Sequence, residues 1–389
     1  MKLALIGVGQ AGGKVVDALV QYDRLTQTDF TVDALAVNTA RADLMGLKHV
    51  PKSRQVLIGL SRVKGHGVGA DNDLGAEVTA EDVGEVLSVI DDMAVHEVDA
   101  FLIVAGLGGG TGSGGAPVLA HELGHLYTEP VYGLGILPAK DEGGIYTLNA
   151  ARSLQTFVRE VDNLILFDNE AWRNSGESVE SGYESINTEI ARRLGVLFGA
   201  GETDGSGAVA ESVVDASEII NTLGSGGIST IGYASVELDR PKRGLLSRLG
   251  GSAATEDDGD AMNRLTSLVR RAALGRLTLP CEIGGTERGL VVFAGPQDVL
   301  SRRGIERGRA WLEDETGTME IRGGDYPVES NFVAAVVLLS GVYDVPRVKE
   351  LQAVAIEAQK DMLAKRESSS TALDDLLADS GSDSLESLF

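Results

Sequence analysis

Residues 105–117, AGLGGGTGSGGAP, constrain this chain more than any other segment. They follow a short apolar run at 101–105 that reads as a buried strand, and precede Val118, Leu119, Leu123 and Leu126, whose spacing predicts a helix. The seven glycines are therefore expected on a turn between a strand and a helix N-terminus. Glycine there lets the backbone adopt φ > 0 and approach a ligand with no Cβ in the way. Successive N–H groups and the positive end of the helix dipole then form an anion nest suited to phosphates. A Cβ at Gly110 is expected to intrude on that nest, and Pro117 to occupy the first helical turn, where no N–H is needed. The lysine of a GxxxxGK[ST] loop is absent, so further charge neutralisation must come from a metal or from elsewhere in the chain.

Two more glycine turns follow strand-like runs. Residues 2–6 lead into Gly7-Val8-Gly9-Gln10-Ala11-Gly12-Gly13, with a helix predicted from Lys14. Alone this is a dinucleotide fingerprint, but the second strand, 32–37, ends in Asn38-Thr39 and not in the acid that would hold a ribose. The third turn, residues 65–75, follows the run at 55–60. Three such turns suit ligand loops gathered at the carboxyl edge of one parallel sheet, and favour a nucleoside triphosphate over a dinucleotide. Asp71 and Asp73 suit either Mg²⁺ or a helix N-cap. His121-Glu122-Leu123-Gly124-His125 matches HExxH. The apolar positions 119, 123 and 126 leave both histidines towards solvent, so the segment is read as a solvated helix face and not as a zinc site.

Composition narrows the partners. With 34 Lys+Arg against 58 Asp+Glu the net charge is −24, which repels nucleic acid and anionic lipid. The longest apolar run, 332–340, is about half of the roughly 20 residues a membrane span needs, so direct membrane insertion is not expected. The N-terminal apolar stretch is too short for a signal peptide, and Cys281 is the only cysteine, which suits a cytoplasmic, reducing location. Acidic excess along the whole chain also suits a high-salt cytoplasm, where screening tolerates it. Stability that collapses on dialysis of salt would support that expectation, and salt-indifferent stability would refute it.

The length of 389 residues suggests two or three domains. A strand at 131–137, residues 138–144, a helix at 145–158 and a strand at 163–167 lead into Asp168-Asn169-Glu170. Residues 178–199 carry a long amphipathic pattern through Ile186, Ile190, Leu194, Leu197 and Phe198. At its start Tyr183 and Asn187 lie one turn apart, a pair that can stack on a purine and bond its edge or can simply begin a helix. After a Gly/Ser/Thr-rich loop at 199–208, Asp215 and Glu218 share a face near a helix N-terminus. They could polarise a water or merely complement the helix dipole. Strands at 229–238, 281–294, 319–321 and 332–339, with helices near 261–274, 297–315 and 346–364, read as a second α/β unit. Residues 239–260 read as an insertion. From about Arg366 the chain turns acidic and serine-rich, and is expected to be disordered, with leucines suited to docking peptides.

These residues together resemble a known family. GGGTGSG at 108–114 is similar to the tubulin/FtsZ signature, and Ala116-Pro117 sits nearer FtsZ. Residues 9–12 resemble the first phosphate loop of tubulin, 36–39 resemble FtsZ, and Asp168-Asn169-Glu170 with Tyr183 and Asn187 are tubulin-like. The mixture, the acidity and the leucine-containing tail look most like CetZ, the tubulin-like group of haloarchaea. The resemblance implies an α/β fold with a Rossmann-like parallel-sheet GTPase domain (1–177). A long central helix and catalytic loop (178–220) would join it to a smaller α/β domain (221–365) and an acidic tail (366–389). It implies a GTPase that binds GTP/GDP with Mg²⁺, polymerises head to tail with itself and serves as cytoskeleton, in cell-shape control or FtsZ-like division. A GTP-bound scaffold that does not hydrolyse is the alternative, and adaptor proteins would engage the tail. It places Gln10, Ala11, Gly12, Gly13, Lys14 and Asn38 in the nucleotide site, the 10–14 loop on the phosphates. Gly106, Gly108, Gly109, Gly110, Thr111, Gly112 and Ser113 would also hold phosphates. Glu142 would meet the ribose, and Asn169, Tyr183 and Asn187 the guanine. Glu218 would polarise the attacking water of the next subunit, with Asp215 supporting it or ordering Mg²⁺. Val213, Tyr146 and Asp71 depart from residues usual in FtsZ.

Overall fold

The computed structural model describes residues 1–173, 179–200, 202, 214–238 and 258–379. In chain order the strands are β1 (Leu3–Val8), β2 (Thr31–Asn38), β3 (Gln55–Leu57), β4 (Ala100–Gly106), β5 (Val131–Leu137), β6 (Asn163–Asp168), β7 (Ile228–Glu237), β8 (Arg288–Gly295), β9 (Ile321–Pro327) and β10 (Phe332–Ser340). Up to the end of β6 the helices are α1 (Gly9–Thr26), α2 (Arg41–Met45), α3 (Leu60–Val63), α4 (Asn72–Glu81), α5 (Val83–Asp91), α6 (Thr111–Leu126) and α7 (Gly144–Glu160). Beyond it come α8 (Asn169–Trp172), α9 (Val179–Gly199), α10 (Ala216–Leu223), α11 (Asp258–Ala273), α12 (Arg302–Thr316) and α13 (Pro346–Asp379).

All the strands join one sheet in the order β3-β2-β1-β4-β5-β6-β7-β10-β8-β9. β1 to β6 run parallel, and the sequence direction of the order reverses between β1 and β4. The second α/β unit is grafted onto that sheet by a short parallel contact, Leu164↔Ile228 and Ile165↔Ser229, followed by antiparallel β10. β5 is buried along its whole length, as a strand covered on both faces must be.

The period of two sorts the core into two layers. Ala4, Ile6 and Val8 of β1 with Phe101 and Ile103 of β4 meet Leu119 and Leu123 of α6, Leu154 and Phe157 of α7, and Leu268 of α11. On the other face Leu3, Leu5, Leu102 and Val104 meet Val15, Val16 and Leu19 of α1 and Ile186, Ile190, Leu194 and Leu197 of α9. The stripe read for α9 is thus buried, and this helix packs on α1 as well as on β7, β8 and β10. It spans both halves of the sheet.

The structure corrects several boundaries. The helix after the central strand starts at Thr111, not near Val118, so Gly112, Gly114, Gly115 and Pro117 lie within α6. Close helix packing explains the glycines: a Cβ on Gly114 would fall 2.6 Å from Ala76 N, and one on Gly115 2.5 Å from Thr79 Oγ1, both on α4. Pro117 is therefore seven residues into α6, where it leaves the carbonyl of Ser113 without its helical donor. Ser153 Oγ of α7 donates to that carbonyl at 2.8 Å. Of the strand read at 281–294 only Arg288–Gly295 is extended, because the chain turns at Gly285 (φ 85°) and its N–H goes to Thr316. The strand read at 319–321 instead runs Ile321–Pro327, through a Gly323-Gly324 pair that hid it. The tail expected to be disordered from about Arg366 continues α13 to Asp379, where Ala372, Leu373, Leu376 and Leu377 supply helix formers at helical spacing. The 239–257 insertion, most of the 199–208 loop, Val213 and the last leucines of the tail lie outside the described residues.

Candidate functional site

The carboxyl edge of the parallel strands, where the order reverses between β1 and β4, is where an open α/β sheet binds ligands. A cavity of about 370 Å³ lies there, a volume suited to a small molecule. One part of its wall is formed by Gly9, Gln10, Ala11 and Lys14 at the start of α1 and Gly108, Gly109, Gly110, Thr111 and Gly112 at the start of α6. Both helices aim their free N–H groups and dipole ends at the same space. Of the lining residues only Lys14 is a lysine or arginine, and it is exposed.

The glycine loops are held by side chains behind them. Asn149 Nδ2 of α7 donates to Ala70 O at 2.7 Å and to Gly108 O at 3.1 Å, joining the third glycine turn to the central one. Thr39 Oγ1 and Thr111 Oγ1 share a hydrogen bond of 2.7 Å, which ties β2 to the start of α6. Asp71 caps α4 by accepting from Leu74 N at 3.0 Å, so of the two readings of this residue the cap is the one seen. Gly65, Gly67, Gly69 and Ala70 all have positive φ, which wraps residues 66–70 around the cavity.

The rest of the wall comes from Asn38, Asp43, Ile136, Pro138, Glu142, Tyr146 and Asn169, and from Tyr183, Ile186 and Asn187 on α9. The Glu142 carboxylate accepts from Ala139 N at 2.7 Å and from the Tyr183 hydroxyl. Burial, reinforced by that carboxylate, raises the Tyr183 phenol. Asn38 Nδ2 donates to Asp43 at 3.1 Å.

Of the residues placed in the site by resemblance, Gln10, Ala11, Lys14, Asn38, Gly106, Gly108, Gly109, Gly110, Thr111, Gly112, Glu142, Asn169, Tyr183 and Asn187 line this one cavity. Gly12, Gly13 and Ser113 do not. A Cβ on Gly12 would lie 3.3 Å from Ala105 Cα, so this glycine lets α1 lie on β4; Gly13 faces Leu47; Ser113 Oγ turns back to the Gly109 and Gly110 carbonyls. A Cβ on Gly110 would strike Asp71 O at 2.8 Å and the side chain of Val68, which also lines the cavity, whereas a Cβ on Gly109 would meet nothing within 4 Å. Asp43 and residues 66–70 are not singled out from sequence as site residues, while Gly9 enters only within the 9–12 loop, Ile186 only within the α9 stripe and Tyr146 only as a departure from FtsZ. Of 66–70 the glycines at 67 and 69 carry a local signal, and the others arrive through tertiary packing.

Asp215 and Glu218 are not brought to the cavity. Asp215 caps α10, accepting from Glu218 N at 3.0 Å and Ser217 Oγ at 2.5 Å, and these bonds hold its carboxyl below the usual range. Glu218 Oε2 is buried with no hydrogen-bond partner among the described residues, and burial, with the Asp215 charge beside it, raises its carboxyl against the opposing pull of Arg322. The helix ends at Leu223, whose carbonyl accepts from Asn163 at the start of β6. α10 therefore stands at the amino edge of the sheet, opposite the cavity.

Two other candidates are accounted for. His121 and His125 are exposed on α6, His121 bonded to Glu160 at 2.9 Å, and no group of three metal-ligating side chains occurs among the described residues. A wider hollow of about 700 Å³ beside Lys2 and Asp33 is lined by carboxylates already matched: Asp23 to Thr28, Asp29 to Lys2, Asp33 to Arg54 and Glu202 to the N-terminus. No described helix is long and apolar enough to cross a membrane.

Residues 2–177 match the GTPase domain of the tubulin/FtsZ family, and residues 176–357 match the C-terminal domain of tubulin-like CetZ. Tubulin-like protein CetZ3 of Haloferax volcanii is 81% identical over the whole of both chains. A solved CetZ1 from the same organism, a GDP-bound monomer, superposes with a TM-score of 0.83 at 63% identity, covering 92% of this chain and 100% of that one. A CetZ2 protofilament bound to GTPγS gives 0.82 at 48% identity, covering 93% and 99%.

Proposed function

The chain belongs to the CetZ group of the tubulin/FtsZ family, and on that premise we propose that it binds GTP in the switch-point cavity, polymerises head to tail, and hydrolyses the nucleotide where two subunits meet. One observation carries the proposal. The cavity has backbone N–H groups suited to phosphates and a polar and aromatic wall suited to a nucleoside, yet the half-buried carboxylate of Glu218, one oxygen of which has no hydrogen-bond partner among the described residues, stands at the opposite edge of the sheet. Stacking identical subunits carboxyl edge to amino edge would bring α10 of one to the cavity of the next. Such a contact is heterologous and generates filaments, not closed dimers. The GDP- and GTPγS-bound states of the two similar CetZ structures support the choice of ligand.

Phosphoryl transfer asks the protein mainly for positioning and electrostatics. The N-termini of α1 and α6 would hold the phosphates through backbone N–H groups, Glu142 the ribose, and Asn169, Tyr183 and Asn187 the base. With Lys14 the only lysine or arginine in the wall among the described residues, a Mg²⁺ entering with the triphosphate would supply the missing positive charge, and Asp43, a carboxylate of the same wall, would help hold it. Glu218, its carboxyl raised by burial, would accept a hydrogen bond from the attacking water, with Asp215 fixing the helix start that presents it. The test is phosphate release from GTP with Mg²⁺ at high salt across protein concentrations. Specific activity rising steeply above a threshold is expected; activity per molecule that stays flat would refute the shared site, and GTP binding without release would leave a scaffold.

A further inference from the structure

We propose that Arg347, at the start of the C-terminal helix α13, is a positioning residue of the nucleotide site that fastens together the two loops bearing its ribose and base contacts. The proposal rests on the nucleotide reading above. Arg347 directly follows Pro346, in a first turn where side chains are usually solvated, yet its own side chain is only 7% exposed. Its guanidinium forks across three elements: Nη2 donates to the Pro138 carbonyl at 2.9 Å, Nη1 to Glu350 Oε2 at 3.0 Å, and Nε lies 3.6 Å from Asp168 Oδ1. A buried cation is costly unless paired, and a planar fork can hold several acceptors in fixed directions as an ammonium cannot.

Two of the three targets adjoin the cavity. Pro138 lines it and opens the loop that carries Glu142, and Asp168 immediately precedes Asn169, which lines it. Asp168 Oδ1 also accepts from Glu170 N, which sets the turn on which Asn169 sits. Lys140 closes the ring, its N–H donating to Glu170 Oε2 at 2.8 Å and its Nζ to Glu350 at 3.1 Å. An ordinary i,i+3 ion pair along α13 accounts for the Glu350 contact but not for a reach to carbonyl and carboxylate partners on two other elements. The glycine loops touch this ring only where Gly108 packs on Pro138, and have ties of their own in Asn149 and the Thr39–Thr111 bond. Loss of Arg347 should therefore loosen the grip on the nucleoside much more than the grip on phosphates.

The test is calorimetric titration of the full-length chain with GTP and, separately, with inorganic tripolyphosphate, in wild type, Arg347→Met and Arg347→Lys. Arg347→Met should weaken GTP by about tenfold while leaving tripolyphosphate within about twofold of wild type. Arg347→Lys, which keeps the charge beside Asp168 but loses the fork, should fall between; if Arg347→Met does not fold, the lysine variant decides by the same comparison. Unchanged GTP affinity, or equal weakening of both ligands, would overturn the positioning role. A wild-type chain that bound tripolyphosphate but not GTP would overturn the nucleotide reading itself, and this inference with it.

Discussion

Ser153→Ala should be among the most informative single-atom deletions in this protein. Pro117 lies within α6 and has no N–H, so the Ser113 carbonyl four residues earlier has no helical donor. Ser153 Oγ takes that place at 2.8 Å, and Ser113 and Ser153 are each 1% exposed, so water cannot replace it. Deleting the hydroxyl leaves a buried acceptor unpaired, a loss of about 1–3 kcal/mol. Pro117→Ala restores an N–H at the position that addresses Ser113, and in that background the same deletion should cost less than about 0.5 kcal/mol. Urea unfolding of the four proteins at one high salt concentration gives the cycle, with coupling of about 1–2 kcal/mol expected. Equal costs in both backgrounds would refute the account, because Ser153 would then act through packing and not as a substitute donor.

Further outcomes follow from the site. Glu218→Ala should keep GTP affinity and slow turnover in polymer by about tenfold or more, since it removes the proposed water acceptor; unchanged phosphate release per polymerised subunit would count against that role. Gly109→Val should lower GTP affinity by about tenfold or more with stability changed by no more than about 0.5 kcal/mol, whereas Gly110→Ala should lower stability by more, because only the Gly110 Cβ meets the neighbouring loop; calorimetric titration and urea melts that show the reverse would disprove the assignment of the two glycines. Burial raises the Asp168 carboxyl to about 6 from 3.8, against the opposing pull of Arg347. Its folded form thus binds a proton more tightly than the unfolded form, and its contribution is most favourable below pH 3.8 and is lost as pH rises to about 6. Stability of Asp168→Asn relative to wild type should therefore rise across that window by up to about 3 kcal/mol, and a difference that is flat with pH would contradict it.

The glycine-rich segment, the apolar stripe of α9 and the alternation of the strands are local signals, and they made the α/β class and a carboxyl-edge site legible without coordinates, while the individual lining residues came from the resemblance to the tubulin/FtsZ family. A strand-to-turn-to-helix pattern fixes where backbone N–H groups gather, and a 3.6-residue stripe fixes which face is buried. What the residues alone left open, such as the dual readings of Asp71 and of Tyr183 with Asn187, depends on which groups stand nearby. Tertiary structure showed Asp71 as a helix cap and brought Tyr183 and Asn187 into the cavity wall. It showed Gly114 and Gly115 serving the approach of α4 to α6, and Ser153 answering for Pro117 from another helix. It also separated Asp215, spent on a cap, from Glu218, whose Oε2 is buried without a hydrogen-bond partner among the described residues at the far edge of the sheet. Arg347 gave no sequence signal at all: its partners lie 209 residues away at Pro138 and on the loop at Asp168, and burial beside them is a property of the folded chain. Local chemistry wrote the loops and helices of this protein, while long-range packing determined which glycine faces the cavity, which carboxylate is spent on a cap and which arginine is buried between loops.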